Sequence, residues 1–144
     1  MKRYSLIVFI FALVIVSCFL STGCMFIKAY FDPAGYQYAV TILDDSVNLM
    51  PKAKESYDKY QEQVYALMTR VEAAYEHSRL KIKNDAVIGI WDQMRDPLGS
   101  RLGRFMELWK IENILDDETI KKYTKWVTDD LTALIALENK KKKL

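Results

Sequence analysis

Between Tyr57 and Ala74, the residues Tyr57, Tyr60, Val64, Leu67, Val71 and Ala74 recur at alternating steps of three and four. That spacing keeps to one face of a 3.6-residue helix and does not fit the two-residue alternation of a strand. It is the strongest periodic signal in the chain, and it commits the middle of the sequence to an amphipathic helix. The positions flanking the seam are Gln61, Gln63, Met68, Arg70, Tyr75 and His77, which are not the complementary charges that select a partner in a coiled coil. Met68 and Tyr75 instead widen the stripe into the broad apolar face of a helix packed in a bundle.

Local punctuation divides the rest. Asp32 with Pro33, and Asp96 with Pro97, read as an N-cap acid followed by proline at the first helical position, where its missing N–H is not needed. Pro51 interrupts what begins at Pro33, so the sequence predicts a first helix over about 33–49 and a second over about 52–80. Asn84 caps a third over about 85–95, with Val87, Ile90, Trp91 and Met94 on one side. A fourth runs from Pro97 to about Leu115 and presents Leu98, Leu102, Phe105, Trp109 and Glu112 in series. Asp116 or Asp117 caps a fifth over about 118–139, with Ile120, Tyr123, Val127, Leu131, Leu134 and Ile135 facing inward. No run of alternating β-branched residues argues for a sheet. The expectation is an all-α, four- or five-helix bundle behind an N-terminal apolar signal or anchor helix. A chain of 144 residues, 51% hydrophobic with only 5 Gly and 3 Pro, has room for one such domain. That length excludes a multidomain enzyme.

The first 27 residues contain no acid, and their charges are Lys2 and Arg3, followed by the uncharged run Tyr4 to Ile27. A basic flank, an apolar stretch densest from Leu6 to Val16 and a closing group of small residues make up a secretory signal. At its end stand Leu20, Ser21, Thr22, Gly23 and Cys24, which resemble the lipobox of bacterial lipoproteins. The resemblance covers the export signal only. It implies cleavage before Cys24 by signal peptidase II and a diacylglyceryl thioether, with its palmitate-type chains, on that cysteine. Ser21 stands where the family usually has Leu. A second box, Ile15, Val16, Ser17 and Cys18, also fits, but it ends the apolar stretch early and leaves Phe19 and Leu20 on the mature chain. The alternative to cleavage is a retained anchor, since the 24 uncharged residues from Tyr4 to Ile27 exceed the roughly 20 that a helix needs to cross a bilayer. Both readings keep Lys2 and Arg3 inside the cell and export the folded part. The chain then divides into a signal peptide over 1–23, a tether over 24–31, a bundle over 32–139 and a basic tail over 140–144.

With Cys18 in the leader and Cys24 acylated, no thiol remains for a disulfide, so stability rests on packing. Without Lys2 and Arg3 the chain has 19 bases against 19 acids, and this neutrality argues against nucleic acid as a partner. Lys140, Lys141, Lys142 and Lys143 concentrate positive charge at one tip and leave the body mildly acidic. Such a tip suits the negative pole of a last helix and equally an anionic lipid surface. The tether from Met25 to Asp32 spans about 28 Å at full extension, which holds the body close to its membrane. Within it Phe26, Ile27, Tyr30 and Phe31 either settle at the headgroup level or pack on the bundle.

Catalytic spacing is scarce. His77 is the only histidine, which excludes a cluster of histidine ligands, and the residue three before it is Ala74 rather than the Glu of a di-iron bundle. The acid pairs Asp44 and Asp45, Asp116 and Asp117, and Asp129 and Asp130 are chain neighbours, which point about 100° apart on a helix and do not converge on one proton or metal. Glu72 and Glu76 share a face, as exposed acids do. Gly99 and Gly103 are spaced for close helix packing in a segment too charged for a membrane. Trp91, Trp109 and Trp126 read as core anchors. The sequence thus points to an exported, membrane-anchored lipoprotein without cofactor, acting as a noncatalytic binding or assembly accessory in the bacterial cell envelope. Its expected partners are membrane lipid, through the acyl anchor, and another envelope protein. The alternative is an acid-based envelope hydrolase acting on peptidoglycan or lipid.

Overall fold

Asp32 and Pro33 mark the start of the first helix, with proline at its first position and no side-chain cap bond from the acid. In the computed structural model, which describes residues 30–82 and 84–142, α1 spans Pro33–Leu49, and the Tyr36 N–H closes its first turn on the Asp32 carbonyl at 2.9 Å. Gly35, Ala39, Ile42, Ser46 and Leu49 fall on its buried face at steps of three and four. Pro51 cannot donate to the ladder, so the chain tightens into a 3-10 turn over Met50–Lys54 and places Met50 and Ala53 in the core.

The second expected helix begins later than its stripe. Residues Tyr57–Lys59 form another 3-10 turn, and α2 spans Gln61–Arg79, burying Val64, Leu67, Val71, Ala74 and Ser78. Tyr57 and Tyr60 continue the apolar row from outside the helix. They pack on Trp109, Tyr57 edge-on at 5.7 Å and Tyr60 tilted at 5.6 Å.

Helix α3 spans Asp85–Arg95 as its pattern predicts, with Val87, Trp91 and Met94 buried, but the Asn84 side chain makes no cap bond to it and donates to the Ser78 carbonyl instead. The next junction differs from expectation, because α4 spans Leu102–Glu112 rather than starting at Pro97. The Asp96 side chain accepts the Leu98 N–H at 2.9 Å and its carbonyl accepts the Gly99 N–H at 3.3 Å. The same acid–proline pair therefore closes a turn instead of capping a helix. Leu98 is left exposed, and so is Glu112 at the far end of α4. Leu102, Phe105 and Trp109 are buried as expected.

Asn113 ends α4 at a φ of 65°, and its N–H returns to the Trp109 carbonyl at 2.8 Å. Asp116 caps the last helix, accepting the Thr119 N–H at 2.9 Å and its hydroxyl at 2.7 Å. Helix α5 spans Asp117–Lys142 and buries Ile120, Val127, Leu131, Leu134 and Glu138.

Helix α1 lies between α5 and α2, α2 packs on α3, and α3 and α4 pack on each other and on α5. Directions alternate, because the start of α1 meets the ends of α2 and α5, through His77 and Glu138, while Lys54 after α1 meets Asp117 at the start of α5. At about 1.5 Å per residue α2 is roughly 28 Å long, and α3 and α4 together match it. The architecture is an antiparallel four-stave bundle whose third stave is broken at Asp96 and Pro97. No strand occurs among the described residues.

Candidate functional site

Three chain segments meet at the end where the N-terminal segment enters the bundle: Tyr30 to Asp32, the loop from Leu80 to Asn84, and the last turns of α5. Beneath them lies a polar network. Glu138, only 3% exposed, accepts the Asp32 backbone N–H at 3.1 Å and the Lys141 ammonium at 2.5 Å. Lys141 also donates to the Asn84 side chain at 3.0 Å, and Asn84 donates to the Ser78 carbonyl at 3.3 Å. On the other side the Asp32 carboxylate holds His77 Nε2 at 2.7 Å and faces Lys81 Nζ at 3.8 Å.

Burial alone pushes the Asp32 carboxyl up. The Gly35 amide, the His77 hydrogen bond and charge, and Lys81 outweigh it and hold the group below its ordinary value. The Gly35 amide acts here through proximity, since Asp32 makes no regular side-chain cap bond to α1. These contacts clamp the first described residues to two helices at once. They explain why an acid sits on the inward row of α5, one turn beyond Leu134.

Above this network the surface is apolar and basic. Tyr30 is 84% exposed, Leu80 82% and Ile82 74%. Of the described lysines at this end, Lys81, Lys140 and Lys142 are exposed, and of the acids Asp32, Asp85 and Glu138 two are buried.

The expected surface residues separate into groups. Tyr30 and Lys140 are exposed. Phe31 is half-buried, with its ring 6.2 Å from that of Tyr36 and beneath the Lys142 ammonium at 5.6 Å. Lys141 is held in the network and is not a free charge. Cys24, Phe26, Ile27 and Lys143 lie outside the described residues, as do Cys18 and the leader.

Leu80, Ile82 and the inward Glu138 were not legible as site residues in the sequence. The loop signal was a pair of apolar residues alternating with Lys81 and Lys83 just past a helix end. The Glu138 signal was its step of four from Leu134 on the buried row.

Elsewhere the acids are dispersed rather than gathered. Asp45 pairs with Arg70, Asp130 with Arg101, Asp117 with Lys54, and Asp129 with Lys125. Glu72 and Glu76 pair with Arg95 and Arg79. The groove between α1 and α2, about 380 Å³, contains Asp45 as its one acid; the groove between α2 and α4, about 310 Å³, contains Glu107. Among the described residues no three His, Cys, Asp or Glu side chains gather as metal ligands. Trp91 and Trp109 are core, whereas Trp126 is half-buried beside Tyr123 and under Lys122. Gly103 serves close packing, and Gly99 sits in the turn before α4. No helix among the described residues is long and apolar enough to cross a membrane.

No protein-family model, curated protein or solved structure matches this chain.

Proposed function

We propose that the protein is an exported lipoprotein, anchored through acylated Cys24, whose helical bundle serves as a noncatalytic binding or assembly accessory in the bacterial cell envelope. The observation that carries this reading is the clamp at Asp32. A chain pulled from a membrane enters the bundle at a residue gripped by Glu138, His77 and Lys81, so tension on the tether is borne by α2 and α5 rather than by the first turn of α1. Among the described residues Asp45, Asp117, Asp129, Asp130, Glu72 and Glu76 pair with separate bases, whereas hydrolysis by two acids needs carboxylates that face each other, and this supports the accessory role over the envelope hydrolase. The partner in that role is another envelope protein.

A diacylglyceryl group supplies two chains, enough for stable anchoring where one is not. Cys24→Ala is expected to abolish incorporation of a fatty-acid analogue and to leave an unprocessed precursor, while Cys18→Ala does neither. Labelling that follows Cys18 moves the attachment point. An intact mass that retains Lys2 and Arg3 in the untreated protein, with no label, replaces the lipoprotein reading by a retained anchor.

A further inference from the structure

We infer that the α2–α3 loop, through Leu80 and Ile82 flanked by lysines, is a second membrane contact that inserts into the interface of an anionic bilayer and stands the bundle end-on. The inference rests on the reading that the N-terminal segment is held at a membrane.

Leu80 and Ile82 are among the most exposed large apolar side chains of the described residues, and they lie two positions apart on one short loop. Isolated exposed apolar residues need no explanation. Two on one loop, beside the exposed Tyr30 that begins the described chain, form a tip. The loop is also fixed to the tether. Lys81 faces the carboxylate of Asp32, and Asn84 receives Lys141 from α5, so the loop that carries Leu80 and Ile82 is tied to the segment that begins the described chain. Tyr30, the first described residue, stands at this end.

Charge selects the occupant. Lys81, Lys140 and Lys142 are exposed here, while the Asp32 and Glu138 carboxylates are buried, one against His77 and the other against Lys141, and Glu76 is paired with Arg79, which leaves Asp85 as the exposed acid beside them. The field facing outward is positive although the chain without its leader charges is neutral. An apolar pair inside a basic rim complements anionic headgroups over acyl chains, with the lysine stems extending up to the phosphates. The opposite end also exposes Ile111 and Ile114, but its lysines are offset: Lys54 pairs with Asp117 and Lys59 with Glu55, and Asp58, Glu112, Asp116 and Glu118 stand against Lys52 and Lys110.

The test uses the full chain, reconstituted into vesicles of phosphatidylglycerol with phosphatidylethanolamine and into vesicles of phosphatidylcholine alone. A photoreactive amino acid replaces Leu80 or Ile82, and Ile111 or Ile114 as the control. After illumination, phospholipid adducts are identified by mass spectrometry, and retention on the vesicles after alkaline extraction is measured on the same samples.

Adducts at 80 and 82 in anionic vesicles, and not at 111 or 114, are expected. Each lysine near the surface favours the end-on state about fivefold at low salt, so Lys81→Gln and Lys140→Gln with the probe at 82 lower the adduct yield on anionic vesicles and not on neutral ones. Equal yields at all four positions overturn the inference. Cross-links from 82 to residues 25–29, or to a second copy, overturn it in favour of those occupants. Full retention without adducts at 80 and 82 defeats this inference alone, whereas loss of retention defeats the anchored reading with it.

Discussion

Ser46 and Asp32 show what single polar atoms do in this core. The Ser46 hydroxyl is sealed in the buried face of α1 without a hydrogen-bond partner, so it carries a desolvation cost that no bond offsets. Ser46→Ala is therefore expected to stabilise the domain by about 1 kcal/mol, with better helix propensity adding a few tenths. A thermal melt displaced upward by several degrees is the readout, and a downward displacement contradicts the orphaned hydroxyl.

Asp32 is the opposite case, a buried residue whose carboxylate is engaged by His77 and Lys81 while its backbone N–H donates to Glu138. Its folded-state pKa lies below the ordinary value, so the stability it contributes is present above the unfolded pKa of about 3.9 and is lost as pH falls through the lower folded value. Asp32→Asn is expected to cost about 1–3 kcal/mol at pH 7 and to flatten the loss of stability below pH 4. Denaturant titrations at pH 7, 5 and 3 check both the cost and the flattening; parallel curves for the two proteins refute the assignment.

At the scale of elements, three of the five helices follow from the residue pattern, the last of them Asp117–Lys142 behind its Asp116 cap, and the other two show where local chemistry is ambiguous. Pro33–Leu49 and Asp85–Arg95 keep their expected bounds although the Asp32 and Asn84 side chains make no cap bond and turn to His77, Lys141 and Ser78 instead. Asp96 and Pro97 present the same dipeptide as Asp32 and Pro33, yet the third stave breaks into a turn there. Gly103 shows why. A Cβ at Gly103 meets the Arg95 carbonyl oxygen at 2.5 Å, so α4 begins against the end of α3 and the intervening residues are consumed by the turn.

Local pattern also places Tyr57 and Tyr60 on a helix face, and tertiary packing against Trp109 retains their inward direction while breaking the helix. Gly103→Ala has only backbone to push against and is expected to cost about 1–3 kcal/mol. Gly89, with open space at its Cβ in the middle of α3, is the matched control: Gly89→Ala is expected to gain about 0.5–1 kcal/mol. Equal changes at the two positions rule out the close approach.

For the molecule as a whole, the informative feature is that both ends are tied by long-range polar contacts around one continuous core. At the end away from the tether, the Asn113 side chain accepts the Ser56 hydroxyl at 2.9 Å and the Tyr57 N–H at 3.1 Å, and the Leu115 N–H reaches the Ala53 carbonyl at 2.8 Å. At the tether end Glu138 reaches back 106 positions to Asp32. Neither tie is written in a periodicity. Buried rows reveal which face of a helix turns inward, but not which helix end meets which, and that is why the candidate site could be only partly anticipated from Tyr30, Phe31 and the lysine tail.

Because buried residues of all five helices belong to one cluster, the bundle has no internal boundary at which to unfold in parts. Residues 30–144 are therefore expected to fold without leader, lipid or disulfide and to unfold in a single transition that is unchanged by reductant. Trp91→Phe with Trp126→Phe leaves Trp109, which donates to the Glu55 carbonyl at 3.0 Å, as the reporter of the far end. Its fluorescence and the far-ultraviolet circular dichroism should then trace one denaturation curve. Two separated midpoints, with Trp109 released before or after the bulk of the helix, would mean that the broken third stave divides the molecule into two cooperative units.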